Sequence, residues 1–355
     1  MVELMVAITL ALLLTGGVVS VFIASRTAYQ ATSGVGEMSD SGRFALDLIG
    51  ESVRSAGNVA CNSAMTATSQ NVIAAGFVTF ADNFGQGVAG FEATNTGNPV
   101  GAFVVPAVPA AGAANNWTPN LDPIFVGAAT LPGPPAGLAQ PVQGSDVLVL
   151  RSSVPRVAPL YTTADVAPGA VALPVTLPVA APLPMVGGQY AAVADCTKSV
   201  IFQVAAAAAG SVTLNNALPG VGFAAGALVA PLATTVYYIG VGSDGDASLW
   251  RLEQVNGPGF AQPEELVPDV ENMQVLYGID PSGTQTASAY VTGDQVGALN
   301  VVSIQVALLV ASPPTAKQIP AAAPFTLLGN ALTVPVDSRM RQVFYATINL
   351  RDAVN

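Results

Sequence analysis

The sequence predicts an α+β protein in which one long N-terminal helix, membrane-spanning in its first half, packs on an antiparallel β-sheet head. Three observations carry that prediction. From Leu4 to Ala24 the chain reads LMVAITLALLLTGGVVSVFIA, 21 residues without charge or proline, which as helix covers roughly 31 Å, the thickness of a bilayer's hydrocarbon core. Helical character then continues through about residue 57, with Phe44 and Leu48, Ala45 and Ile49, and Leu46, Ile49 and Val53 recurring at spacings of three and four opposite Arg43, Asp47, Glu51 and Arg54. Beyond Asn58 the composition changes to short Val, Ile, Tyr and Thr runs punctuated by Gly, Pro, Asn and Asp, the pattern of an antiparallel β head.

The division is therefore residues 1–57, a helix with a transmembrane part at 4–24 and an amphipathic part at 25–57, followed by a head at 58–355. If helical from Glu3 through Ala56, the first element is about 80 Å long. Gly34, Gly36, Gly42 and Gly50 each lower helix propensity by about 1 kcal/mol relative to Ala, which predicts local bends. Gly16-Gly17 in the span is open to two readings, local unwinding or close helix packing of the kind common in membranes. A mean hydropathy of +0.54 would fit several spans, but the uncharged stretch from Val166 to Ala194 holds Pro168, Pro174, Pro178, Pro182 and Pro184, which would strip helix hydrogen bonds inside lipid. Ser199 to Ser243 is also uncharged and is broken by Pro219 and Pro231. One span remains. It is too long for a secretory signal and begins after an acidic residue, so it reads as a retained anchor.

In the head the candidate strands are Asp146 to Leu150, Lys198 to Val204, Thr234 to Val241, Ala247 to Gln254, Met273 to Gly278, Val301 to Ala311 and Gln342 to Leu350. Tyr237 to Val241 and Ser248 to Glu253 flank Gly242-Ser243-Asp244-Gly245-Asp246, a hairpin with turn chemistry. Two long loops are expected, at about 62–143 and at 166–188, the second stiffened by proline.

Composition narrows function. The chain has 355 residues, no histidine, two cysteines and a net charge of −11. Ser-His-Asp and Cys-His dyads and His-containing or all-thiolate zinc sites are excluded. With Lys198 and Lys317 the only lysines, there is no basic patch for nucleic acid. Lys198-Ser199 resembles a Ser-Lys dyad only superficially, because adjacent residues on a strand face opposite sides; no catalytic residue and no cofactor is expected. Cys61 and Cys196 in an exported head read either as one disulfide or as two buried thiols.

At the level of motifs, VELMVAITLALLLTGGVVSVFIASRTAYQ resembles the mature N-terminus of a type IV pilin, and SGRFALDLIGESVRSAGNVAC resembles the PilW family of minor pilins. Similar blocks continue with GSDVLVLRS, ADCTKSVIFQV, YYIGVGSDGDASLWRLEQ, ELVPDVENMQVLYGID, VVSIQVALLVAS and RQVFYATINLRD. The resemblance implies a type IV pilin-like fold and a structural role: a minor pilin that coassembles with other minor pilins and the major pilin to prime and tip a pilus. Partners would include the inner-membrane assembly machinery and a prepilin peptidase acting on a precursor. The chain would sit in the inner membrane with its head in the periplasm and later at the cell surface. The alternatives are a J-type minor pseudopilin of a type II secretion system and, in another class, a pilus-displayed adhesin or uptake receptor.

The resemblance also assigns residues. Glu3 occupies the position of the glutamate that meets a neighbouring subunit's N-terminal amine and so selects register; an unpaired carboxylate in an apolar core would be costly. Both cysteines fall within family blocks, which favours the Cys61–Cys196 bridge. Asp244 and Asp246 resemble a fragment of the calcium loops some pilin relatives carry, although an ordinary turn explains them more simply. Met1 stands where the family pattern has leucine, so the gene is expected to encode an upstream basic leader ending in glycine.

Overall fold

A computed structural model describes residues 2–63, 69–73, 82–94, 96, 102–122, 125, 140–154, 157, 160–176, 185–208, 210–256, 259–297, 299–314 and 324–351. Helix α1 spans Val2–Ser55, within a residue of the expected bounds. It stops where Gly57 takes a left-handed φ of 80°, a conformation that suits glycine and ends helices. The Gly57 N–H donates to the Arg151 carbonyl at 2.8 Å, and the Arg351 N–H donates to the Arg54 carbonyl at 3.2 Å. The strand Val147–Ser153 and the segment just after the strand Arg341–Asn349 thus both hold the end of the helix.

The head is strand-rich throughout. Its longer strands are β1 (Val88–Ala93), β2 (Val147–Ser153), β3 (Tyr190–Ala194), β4 (Ser199–Ala208), β5 (Ser211–Leu214), β6 (Leu228–Val241), β7 (Ala247–Asn256), β8 (Glu264–Pro268), β9 (Val270–Ile279), β10 (Val301–Ala311) and β11 (Arg341–Asn349). In the main sheet β6 branches. Its first residues pair with β3, its last seven with β7 across the Gly242–Asp246 turn, and its middle pairs with β2 on the opposite edge. All these pairings are antiparallel, as are those of the second sheet, in which β9, β10 and β11 lie side by side. The expected bounds of β10 agree with the structure and those of β2, β4, β7, β9 and β11 agree within four residues, whereas β6 starts at Leu228, six residues before the expected Thr234.

Strand alternation makes the main sheet two-sided. Leu148, Leu150, Tyr237 and Ile239 face α1, while Val147, Val149, Val236 and Tyr238 face an aromatic layer with Phe91, Trp117, Phe125 and Trp250. The helix covers the junction of the two sheets, with Met38, Ala45, Ile49 and Val53 buried against Met273 and Val275 of β9 and Ile304, Val306 and Leu308 of β10. Burial contributes about 1.5–3 kcal/mol for each of the larger side chains in such a seam.

Four expectations need correction. Phe44 does not join the buried stripe; it is 55% exposed, and the docked face is Gly34, Met38, Gly42, Ala45, Ile49, Gly50 and Val53. Of the glycines read as weak points in α1, Gly34, Gly42 and Gly50 lie on the docked face: a Cβ on Gly42 would lie 2.4 Å from the Phe344 ring and one on Gly34 would lie 3.4 Å from Ser312 Cβ, whereas one on Gly36 would meet nothing within 4 Å. Nor is 62–143 a loop folded over a sheet that begins at Asp146, because β1 inside it pairs with β2 and Trp117–Thr118 pairs with β1. Residues 64–68, 74–81 and 126–139 of that stretch lie outside the described residues. In the second expected loop, Ala172–Pro174 pairs with β5 and Val166 bridges Phe223, while residues 177–184 lie outside the described residues.

Candidate assembly surface

Among the described residues, nothing covers the first half of α1. Residues 2–26 are exposed throughout, and an apolar groove lined by Leu10, Leu13, Leu14, Gly17, Val18 and Val21 runs along it. No polar side chain lines that groove. The hydroxyls of Thr9, Thr15 and Ser20 turn back on the helix itself: Thr15 Oγ1 donates to the Ala11 carbonyl at 2.6 Å and Ser20 Oγ to the Gly17 carbonyl at 2.8 Å. Such back-bonding removes their polarity from the outer surface, and α1 is long and apolar enough to cross a membrane. Glu3, at the start of this surface, is exposed and is the only acidic group in the first helical turn.

The second half of α1 is fixed to the head. Ser52 Oγ and Tyr237 Oη lie 2.7 Å apart and Tyr237 Oη donates to the Leu48 carbonyl at 3.5 Å, so the rim of the seam carries a polar tie. The Cys61–Cys196 disulfide is present. It fastens the chain just past the helix to the turn between β3 and β4, and closes a loop whose chain-entropy contribution is about 5 kcal/mol.

Asp244 and Asp246 sit in the β6–β7 turn, where Asp244 Oδ1 accepts the Asp246 N–H at 2.9 Å. Folding brings in Asp269, and one carboxylate oxygen from each of the three lies within 4.8 Å of the others. The Arg339 guanidinium already binds there, to Asp269 at 2.7 Å and to Asp246, and so supplies the positive charge that calcium would bring. Beside it Arg341 clamps Glu271 at 2.6 and 2.8 Å and Asp337 at 2.6 and 2.8 Å. Its pKa is pushed up by both partners against the effect of burial, and the Asp337 pKa is held down by Arg341. Lys198 is likewise engaged, by Asp195, and lies over the Phe223 ring at 5.1 Å, while Ser199 is buried. The superficial Ser-Lys pair therefore has a structural explanation.

A buried acidic joint between the two sheets was not anticipated. Asp146 Oδ1 accepts the Ala93 N–H at 2.9 Å and its Oδ2 accepts the Val275 N–H at 2.8 Å, so one carboxyl joins β1 to β9. Glu92 is also buried and accepts the Gly293 N–H at 3.3 Å. The Glu92 pKa is pushed up to about 7, chiefly by burial and also by the Asp294 carboxylate, against the lowering effect of the Gly293 N–H. Asp146 is raised by burial and by Glu92, against the two N–H groups. Because folding raises the Glu92 pKa, the associated stability is present below about pH 4.5 and is lost as pH rises through about 7. Thermal unfolding of the full chain in detergent should therefore give a lower midpoint near pH 8 than near pH 5, and Glu92→Gln should shrink the difference. A pH response identical in the variant would contradict this assignment.

A long N-terminal helix that is apolar enough to cross a membrane in its first half, and is packed in its second half on a disulfide-tied antiparallel head, is a type IV pilin-like architecture. Residues 236–352, about a third of the chain, match the family model described as Type IV Pilus-assembly protein W. That region runs from the middle of β6 past the end of β11 and contains four of the blocks that carry the resemblance, the ones beginning at Tyr237, Glu265, Val301 and Arg341. A type IV-like pilin from Thermus thermophilus is a similar solved structure, at 16% identity and a TM-score of 0.24, covering 48% of this chain and 87% of that one. Comparison with curated proteins gives no match. The fold assignment rests on the strand pairing described above.

Proposed function

We propose that this chain is a minor pilin that coassembles with other minor pilins to prime and tip a type IV pilus, acting through helix packing without catalysis. The observation that carries the proposal is the apolar half of α1, uncovered among the described residues, headed by Glu3 and joined to a head whose residues 236–352 match the PilW family model. In a bilayer that half is solvated by lipid; in a filament core the same surface would exchange lipid contacts for neighbouring helices. There Glu3 would need a cationic partner, since an isolated carboxylate in apolar surroundings is costly, and a subunit N-terminal amine supplies one. The head would stand in the periplasm before assembly and at the cell surface afterwards.

Deletion of the gene, followed by a count of surface pili and an assay of protein secretion, tests the proposal. Sparse pili with intact secretion are expected. Normal pili with lost secretion would reassign the chain to a type II secretion system, and normal pili with normal secretion would overturn both roles.

A further inference from the structure

We infer that the outer edge of β11 is a docking edge for an extended strand from the head of a different, less acidic pilin subunit anchored in the same membrane. The inference rests on the pilin role proposed above and adds a specific surface to it. β11 pairs with β10 through nine consecutive residues, Arg341 to Asn349, and ends its sheet with no strand on its other side among the described residues. A free edge presents a row of backbone donors and acceptors that template another strand, and proteins usually blunt such edges with short length, charge or proline.

The other single-neighbour strands follow that rule. Among the described residues none exceeds the five residues of β8, and β8 carries Glu264, Glu265 and Pro268. β11 has nine residues and no proline, and its one charge, Arg341 at its first position, is turned into ion pairs with Glu271 and Asp337. Its residues 342–349, QVFYATIN, hold no charge and no proline, and Tyr345 at its centre is 77% exposed, with Thr347 and Asn349 exposed on the same face. A long, neutral, aromatic edge left open is an aggregation hazard unless something covers it in the working state.

Geometry and charge narrow the occupant. Gly34 of α1 meets Ser312 and Met340, Gly42 meets Phe344, and Gly50 meets Ile348, so α1 runs along β11 in the same direction. Two copies joined antiparallel through this edge would point their anchors in opposite directions, which a common membrane forbids. Two copies would also each bring a net charge of −11, whereas a less acidic head avoids that repulsion. Main-chain pairing would supply the attachment, and the exposed Tyr345, Thr347 and Asn349 side chains would contact those of the added strand.

The test places a photo-cross-linking residue at Asn349 of the full chain in its own membrane, with and without Tyr345→Lys. The expected result is an adduct whose linked peptide lies in the head of another single-anchored pilin-type protein, reduced at least tenfold by Tyr345→Lys while the Cys61–Cys196 bridge and membrane insertion persist. An adduct between two copies of this chain, an adduct unaffected by the lysine, or no adduct would each overturn the docking edge. If the adduct fails while deletion still removes pili, the edge is wrong and the pilin role stands; an adduct with normal pili and secretion in the deletion strain fails the role instead.

Discussion

Replacing both cysteines, Cys61→Ser with Cys196→Ser, is expected to lower the stability of the head by about 2–5 kcal/mol. The bridge joins residues 135 apart, so its loss frees most of the first half of the head in the unfolded ensemble and makes unfolding more favourable. The attachment is also local: Cys61 follows shortly after α1, and Cys196 sits in the turn leading from β3, which pairs with β6, into β4. Denaturant titration of the full chain in detergent, oxidised against double variant, measures the effect. An unchanged midpoint would mean that the bridge constrains little, and the seam between α1 and the sheets would then have to account for the stability alone.

Gly42→Leu should detach the stalk from the second sheet, with a cost of about 1–3 kcal/mol or more. A Cβ at this position would stand 2.4 Å from a Phe344 ring carbon, so either the ring leaves the cluster it shares with Ile348 and Ala346 or the helix lifts. Helix propensity acts in the opposite direction, since leaving glycine gains up to about 1 kcal/mol. Gly36→Leu isolates that opposing effect, because a Cβ at Gly36 has nothing within 4 Å. The expected pattern is faster protease cleavage between anchor and head for Gly42→Leu and slower or unchanged cleavage for Gly36→Leu. Equal behaviour of the two variants would contradict the close approach of α1 and β11.

Most of the architecture was legible in the sequence where one periodicity dominated. The span from Leu4 to Ala24 and the strands from Val301 to Ala311 and around Tyr237 needed no tertiary information. β3 was missed because YAAVA is mostly alanine, and β8 because EELVP carries two glutamates and a proline, so neither has a strong strand signal. β1 was hidden for a different reason: VAGFEA places Gly90 where a Cβ would lie 2.1 Å from Tyr277 Oη and places Glu92 at the buried acidic joint. Tertiary contacts thus explain the residues that made the strand look like a loop. The same applies to α1, where propensity marks Gly34, Gly42 and Gly50 as weaknesses and packing makes them the docked face. For the assembly surface, the motif made Glu3 and the apolar run visible. The neutral edge of β11 could be recognised only after its lack of a second neighbour was known.

The most direct test of the central claim is to complement the deletion strain with Glu3→Ala and follow the chain into membranes and sheared filaments. A helix that assembles through a charge-selected register predicts normal membrane insertion, an intact disulfide-bonded head, no chain in the filament fraction and pili as sparse as in the deletion. Full restoration of surface pili by Glu3→Ala would contradict it.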